Sequence, residues 1–341
     1  MVTAIRNENA LESFGTVAKK NQSAADLIRS AGGAFGLLKV PLNEWSGKPC
    51  LPGQHVVVRT DTDTVVGMVG DSYRTFDNSA FFEPIANELV EATGAKIDRF
   101  VMLDGGARAI MRLSWADNIR IGSPKVGDIV ARRAILTTSH DSKSAGKLLL
   151  EALRLACENG MTVPCGQNEF ALTHSSGGTR QLADIVKLIP RIADYFRNFS
   201  TAAEIMADTP ISPTSERCRM IIKKIVDPED KAGATKLGEP NKASERITRV
   251  SELFDGGQPG ADNRAVRGTA WGLFNAAADK FNHPTGTRGN NESERREQRE
   301  RRFRSLLPGR NGGPAAREIV RAWGVVNDEC GITAAINAAM N

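Results

Sequence analysis

The residues of this chain whose types and spacing suit chemistry are mostly cations. Arg108 and Arg112 stand four apart, so a strand there puts both on one face together with Ile110 and Ser114. Arg132 and Arg133 fall in the next extended stretch. Lys143, Lys147 and Arg154 follow in a run that reads as a helix, and few carboxylates intervene between Ala107 and Leu150. Guanidinium and ammonium groups in series neutralise successive phosphates without reading bases, which is the chemistry of sequence-independent nucleic-acid binding. Singly, each is an ordinary charge on a half-solvated sheet; as a set they are expected to line a track. Tyr73, Phe76 and Trp115 are the candidate stacking side chains for bases, with packing at the core or its rim as the plainer role.

A second cationic tract lies near the C-terminus. From Arg288 to Arg310 there are eight arginines and four glutamates, a local excess of +4 against a net charge of +5 for all 341 residues. Glu297 and Arg301, like Glu300 and Arg304, have the spacing of helical ion pairs, which describes a solvated helix. Arg295, Arg296, Arg299 and Arg302 are the candidate phosphate contacts within it.

Other chemistries find less support. The five cysteines (Cys50, Cys157, Cys165, Cys218, Cys330) are odd in number and form no CxxC pair, which suits reduced thiols in a cytoplasmic compartment. The four histidines are scattered, and no zinc spacing occurs. His140-Asp141 is an adjacent pair with no accompanying nucleophile, so turn and helix-capping roles are expected of Asp141 and Ser142. Asp61, Asp63 and Asp71 are the only pointer to a nuclease metal site, and a hairpin turn accounts for the first two. The glycines of Gly233–Gly238 have phosphate-loop spacing but lack the Lys-Ser/Thr that would hold phosphate and magnesium. No metal and no cofactor are called for. No apolar run of 18 residues occurs, so no membrane partner is expected.

The elements that must position these residues are legible in outline. Ser23–Leu38 reads as a helix ended by a Gly-Gly break. Residues 54 to 72 read as a β-hairpin turning at Asp and Thr. A helix starts near Asp77-Asn78-Ser79, carries Pro84 in its first turn and stops at Gly94. Residues 96 to 115 form a second hairpin around Asp104-Gly105-Gly106, and 128 to 140 a further strand. From Ser142 the apolar residues Ala145, Leu148, Leu149, Ala152, Leu153 and Ala156 recur at helical spacing, which predicts a helix with Lys143, Lys147 and Arg154 on its other face. Beyond it the chain reads as helical, with a break near Pro190, a basic helix over 211–226, a loop over 227–245 and a helix over 260–281 bearing Trp271, Phe274 and Phe281. The fold class is therefore α+β: a curved antiparallel sheet with a helical C-terminal half. The expected divisions are 1–48, an N-terminal helical segment; 49–165, the α+β core; 166–285, a helical region; and 286–341, the arginine-rich segment with a terminal helix.

Several of these stretches together resemble a phage- and plasmid-like family of unassigned function. They are Thr137 to Asp141 as a strand-to-helix segment, Arg154 with Cys157 and Asn159 as a helix end, His174, and Trp271 with Asn275 and Ala276. Gly70 to Asn78 adds the entrance to the first long helix, and the resemblance spans roughly residues 50 to 285. Lys143 departs from it, standing where a small residue is usual. In its order of elements the core is also similar to Rad-type single-strand annealing proteins and their phage relatives Erf and Red beta. That similarity implies rings or arcs of subunits with single-stranded DNA, or RNA, along a basic groove.

These features favour an oligomeric single-strand annealing protein of phage or plasmid recombination, independent of ATP and metal. Its partners would be the nucleic acid, copies of itself and phage or host replication and recombination proteins. The alternatives are a metal-dependent nuclease of a mobile element and a non-catalytic oligomeric interaction protein.

Overall fold

The computed structural model describes residues 15–122, 127–155, 159–161, 163, 169–172, 183, 185–187, 189–226, 240–256, 266–282, 294, 297, 301 and 313–334. After a short strand β1 (Thr16–Val17), helix α1 (Ala24–Ser30) is capped by Ser23, whose side chain accepts from the Asp26 amide. Strands β2 (Leu37–Pro41), β3 (Gln54–Arg59) and β4 (Val65–Gly70) form a three-stranded antiparallel sheet, with α2 (Leu42–Ser46) between the first two. Its central strand is a β-branched run, Val56–Val58, buried throughout.

Helix α3 (Asn78–Thr93) starts where its cap predicts: the Asp77 carboxylate accepts from the Ala80 amide at 2.7 Å, and Gly94 closes the helix in the left-handed region. Pro84 is its seventh residue, one turn later than expected. The second hairpin forms as expected from β5 (Lys96–Leu103), a single turn of 3-10 helix over Asp104–Gly106, and β6 (Arg108–Ser114). Strand β7 (Ile119–Ile121) and the long β8 (Asp128–Ser139) follow.

The predicted helix beyond Ser142 is a strand, β9 (Gly146–Arg154), paired antiparallel to β8. All nine of its residues are buried. A strand covered on both faces carries apolar residues at every position, and a continuous apolar run satisfies helical spacing too. Leu148, Leu150 and Ala152 enter the main core, while Leu149 joins a cluster on the opposite face. With β10 (Asn159–Met161) and β11 (Glu169–Leu172), both paired to β9, the large sheet runs β1-β5-β6-β8-β9-β10, and β7 lies beside β8. All its pairings are antiparallel.

The second half is helical: α4 (Ile192–Asp208), α5 (Glu216–Val226), α6 (Pro240–Phe254), α7 (Ala270–Asn282) and α8 (Pro314–Cys330). Helix α6 begins inside the stretch expected to be a loop, with Pro240 as its first residue, the position where proline costs least. Helix α7 is buried from Ala270 to Asn275 and on to Asp279, so its apolar surface is a whole barrel rather than a stripe. Phe199, Trp271, Phe274 and Trp323 pack ring on ring among α4, α7 and α8. One hydrophobic core runs from Ala24 through the sheet to Ile332. None of the described helices is long and apolar enough to cross a membrane.

Candidate nucleic-acid interface

Antiparallel partners directly opposite one another share a face of the sheet, so the register assigns each cation to a side. Arg99 is opposite Arg112; Arg108 is opposite Ser139; Ser114 is opposite Arg133, which is opposite Glu151; Thr137 is opposite Lys147. Arg99, Arg108, Arg112, Arg133 and Lys147 therefore occupy one face, around an apolar patch of Val101, Leu103, Ile110, Ile135 and Leu149. Arg132 and Arg154 lie on the other face, the one that Phe81 and Phe82 of α3 cover. Lys147 and Arg154 are seven residues apart, a full two turns on a helix but opposite sides of a strand.

The face is less exposed and more neutralised than the sequence suggests. Arg112 is buried and donates to Asp98 at 2.6 Å, from the irregularity between Ile97 and Arg99. Arg133 approaches Glu151 at 4.0 Å, and Lys147 is buried. These carboxylates come from neighbouring strands, which is why counting acids along the sequence missed them. Arg108 keeps 27% of its side chain exposed, with Asp104 and Asp141 at 3.8 and 3.7 Å. Lys143 is the most accessible of the set at 70%, with Nζ 3.5 Å from Asp141. On the covered face, Arg132 pairs with Asp117 and lies over the rings of Trp115 and Phe196. Arg295, Arg296, Arg299 and Arg302 lie outside the described residues; within that tract, Arg301 pairs with Glu297 at 3.6 Å.

The candidate stacking rings are packed. Trp115 is buried, donates to the Thr93 carbonyl at 3.1 Å and meets Phe196 edge-on. Tyr73 is buried with its hydroxyl on the Ser139 carbonyl at 3.0 Å, and Phe76 is half-buried against the main core.

The turn joining β8 to β9 is the other polar concentration. Ser139 Oγ donates to Asp141 Oδ1 at 2.6 Å and accepts from the Ser144 amide. Asp141 Oδ1 also accepts from the Lys143 amide. Asp141 thus has the turn role expected of it, but the turn joins two strands and there is no helix for it to cap. His140 is fully buried; its Nε2 contacts Asn78 Oδ1 at 3.1 Å, and Asn78 Nδ2 donates to the Gly33 carbonyl. Burial, with the Asp141 carboxylate second, pushes the Tyr73 phenol well above its ordinary pKa. Strand β4 docks here: a Cβ on Gly67 would stand 2.5 Å from the His140 carbonyl oxygen.

Asp61 is held bidentate by Arg59 at 3.0 and 2.7 Å, and that hydrogen bonding lowers its pKa. It serves the β3–β4 turn. Among the described residues no group of three His, Cys, Asp or Glu is placed to hold a metal ion. Sequence reasoning missed Asp128. It is buried on the covered face, accepts from Arg154 Nε and takes the Trp271 indole N–H at 2.9 Å. It so fastens the sheet to α7.

These features define an α+β protein with two antiparallel sheets, a helical C-terminal half and one sheet face rich in cations. A family model described as a domain of unknown function, DUF932, matches residues 65–307, and the chain belongs to that family. No curated protein and no solved structure matches it.

Proposed function

We propose that the protein binds single-stranded nucleic acid through its phosphates and brings complementary strands together, using neither ATP nor metal. The observation that carries this reading is the register that gathers Arg99, Arg108, Arg112, Arg133 and Lys147 on one sheet face. Cations on one side of a sheet sum to a field that draws a polyanion, and phosphate contacts leave base edges free to find a complement. Arg108, partly exposed on this face, and Lys143, exposed in the adjoining β8–β9 turn, flank Asp141. A phosphate landing there competes with Asp141 for both cations and with Asp104 for Arg108. Within this reading the protein belongs with phage or plasmid recombination proteins of the Erf and Red beta kind, works in a bacterial cytoplasm and assembles with copies of itself.

The test is fluorescence anisotropy with labelled oligonucleotides of unrelated sequence, single- and double-stranded, with and without magnesium, beside a strand-annealing assay. Binding of single strands without cleavage is expected. The double variant R108A/K143A is expected to bind all sequences more weakly by a similar factor. Its logarithmic salt slope should fall by about 1.4, two contacts at about 0.7 each. Absence of binding at low salt by the wild-type protein, or magnesium-dependent loss of the oligonucleotide, would overturn the proposal.

A further inference from the structure

The β8–β9 turn sets one carboxylate beside two cations, and the two oxygens of that carboxylate differ in their contacts. Asp141 Oδ1 serves the turn: it accepts from Ser139 Oγ at 2.6 Å and from the Lys143 amide at 3.1 Å. Oδ2 stands 3.7 Å from Arg108 Nη2 and 3.5 Å from Lys143 Nζ. Both distances exceed the ~2.7–2.9 Å of a charge-assisted hydrogen bond, so the cations are held near an anion without bonding to it. We propose that Asp141 is a built-in rival of the strand phosphate, one that gathers Arg108 and Lys143 and lowers their affinity for single-stranded nucleic acid. This inference rests on the phosphate-binding reading and adds to it a residue that acts against binding.

Three observations support this role. The carboxylate is buried and its backbone is fixed from several sides. The Tyr73 hydroxyl donates to the Ser139 carbonyl at 3.0 Å, the His140 amide donates to the Ala107 carbonyl at 2.7 Å, and a Cβ on Gly67 would stand 2.6 Å from Asp141 Cα. Asp141 therefore stays in place when a phosphate arrives. The cations, by contrast, end long side chains and reach solvent, Lys143 more than Arg108, so they can turn towards an incoming oxygen. The site is also half-neutralised before any strand binds, because Asp104 lies 3.8 Å from Arg108 Nε in addition to Asp141. A phosphate that bridges Arg108 and Lys143 comes to rest beside a fixed like charge, and the two anions repel. Such repulsion suits a protein that must let a strand go once its complement has paired.

The test is fluorescence anisotropy of the full chain carrying D141N, with a labelled single-stranded oligonucleotide over a series of salt concentrations. Asparagine keeps an oxygen for the turn and removes the charge. D141N is expected to bind about fivefold more tightly than wild type, the effect of two weak ion pairs together. Its logarithmic salt slope should steepen by up to about 0.7, one net charge, which a purely structural role would not cause. In the R108A/K143A background the same substitution should change affinity by less than about twofold, because the cations it acts through are gone. D194N removes an equal charge from α4, which packs on the covered face of the sheet, and should also change affinity by less than about twofold. If circular dichroism shows D141N unfolded, D141S takes its place, since a hydroxyl can also accept in the turn. No binding by the wild-type protein would remove the phosphate-binding reading and this inference with it. Wild-type binding beside a folded D141N that binds no more tightly would overturn the role of Asp141 alone. So would equal tightening by D194N, or tightening that survives in R108A/K143A.

Discussion

Residues far apart in the sequence meet in pairs. Tyr73 and Asn78 from one recognisable stretch meet Ser139 and His140 of another, and Arg154 of a third meets Trp271 of a fourth through Asp128. The sequence marks most of these side chains, yet it gives no sign of the partner that joins them: an aspartate at the start of a strand looks like any turn residue. Asp128 and Arg154 are a fully buried ion pair, and a buried pair broken on one side costs far more than the pair contributes when intact. We expect D128A to destabilise the protein by about 3–5 kcal/mol in urea unfolding. D128A/R154M should recover part of that loss, because the second change removes the stranded charge. A double variant as unstable as the sum of its two single changes would show that Arg154 and Asp128 act independently.

At the scale of elements, hairpins and capped helices are legible because their signals are local. Asp77 caps α3, Gly94 ends it, and Asp104–Gly106 turns β5 into β6. Strand β9 is misread because its signal is tertiary: burial on both faces erases the alternation that distinguishes a strand. The error carries into the candidate site. A helix would group Lys147 with Arg154, whereas the strand sends Lys147 to the cationic face and Arg154 into the core. The docking of the small sheet is equally invisible in sequence, since it depends on a missing side chain. At Gly67 a Cβ would meet backbone atoms of His140 and Asp141 at 2.5 and 2.6 Å, and backbone cannot step aside as a side-chain end can. We expect G67A to lose about 1–3 kcal/mol of stability, in the range of overpacked sites. G70A on the same strand, where nothing stands within 4 Å of the added methyl, should stay within about 0.5 kcal/mol of wild type. Equal stability of the two variants by denaturant titration would contradict this docking.

For the whole molecule, the expected α+β class and helical second half hold, whereas a count of charges misleads about the cationic face. A positive stretch of sequence says nothing of carboxylates delivered by neighbouring strands, so Arg112 and Arg133 read as free and fold as paired. Self-association is the property that composition leaves most open, and the outer strand of the small sheet is where we expect it. Strand β2 ends that sheet, and an outer strand offers unpaired backbone groups to another chain. Opposite register partners place Leu38, Val58 and Val56, Met68 on one face of it, and Leu38 and Met68 are 57% and 54% exposed. Trp45 of α2, which packs beside β2, is also exposed. The outer side of β4, by contrast, meets the β8–β9 turn, where Ser142 Oγ reaches the Met68 carbonyl. The two ends of the small sheet are thus unlike, and contact between unlike surfaces is head-to-tail, which closes into rings or extends as arcs. We expect light scattering at micromolar protein to report a homo-oligomer larger than a dimer. The variant L38E, which places a charge on the outer strand, should shift it towards smaller species without loss of the circular-dichroism spectrum. A wild-type monomer with and without oligonucleotide would rule out assembly, and an L38E oligomer of unchanged size would move the contact away from β2.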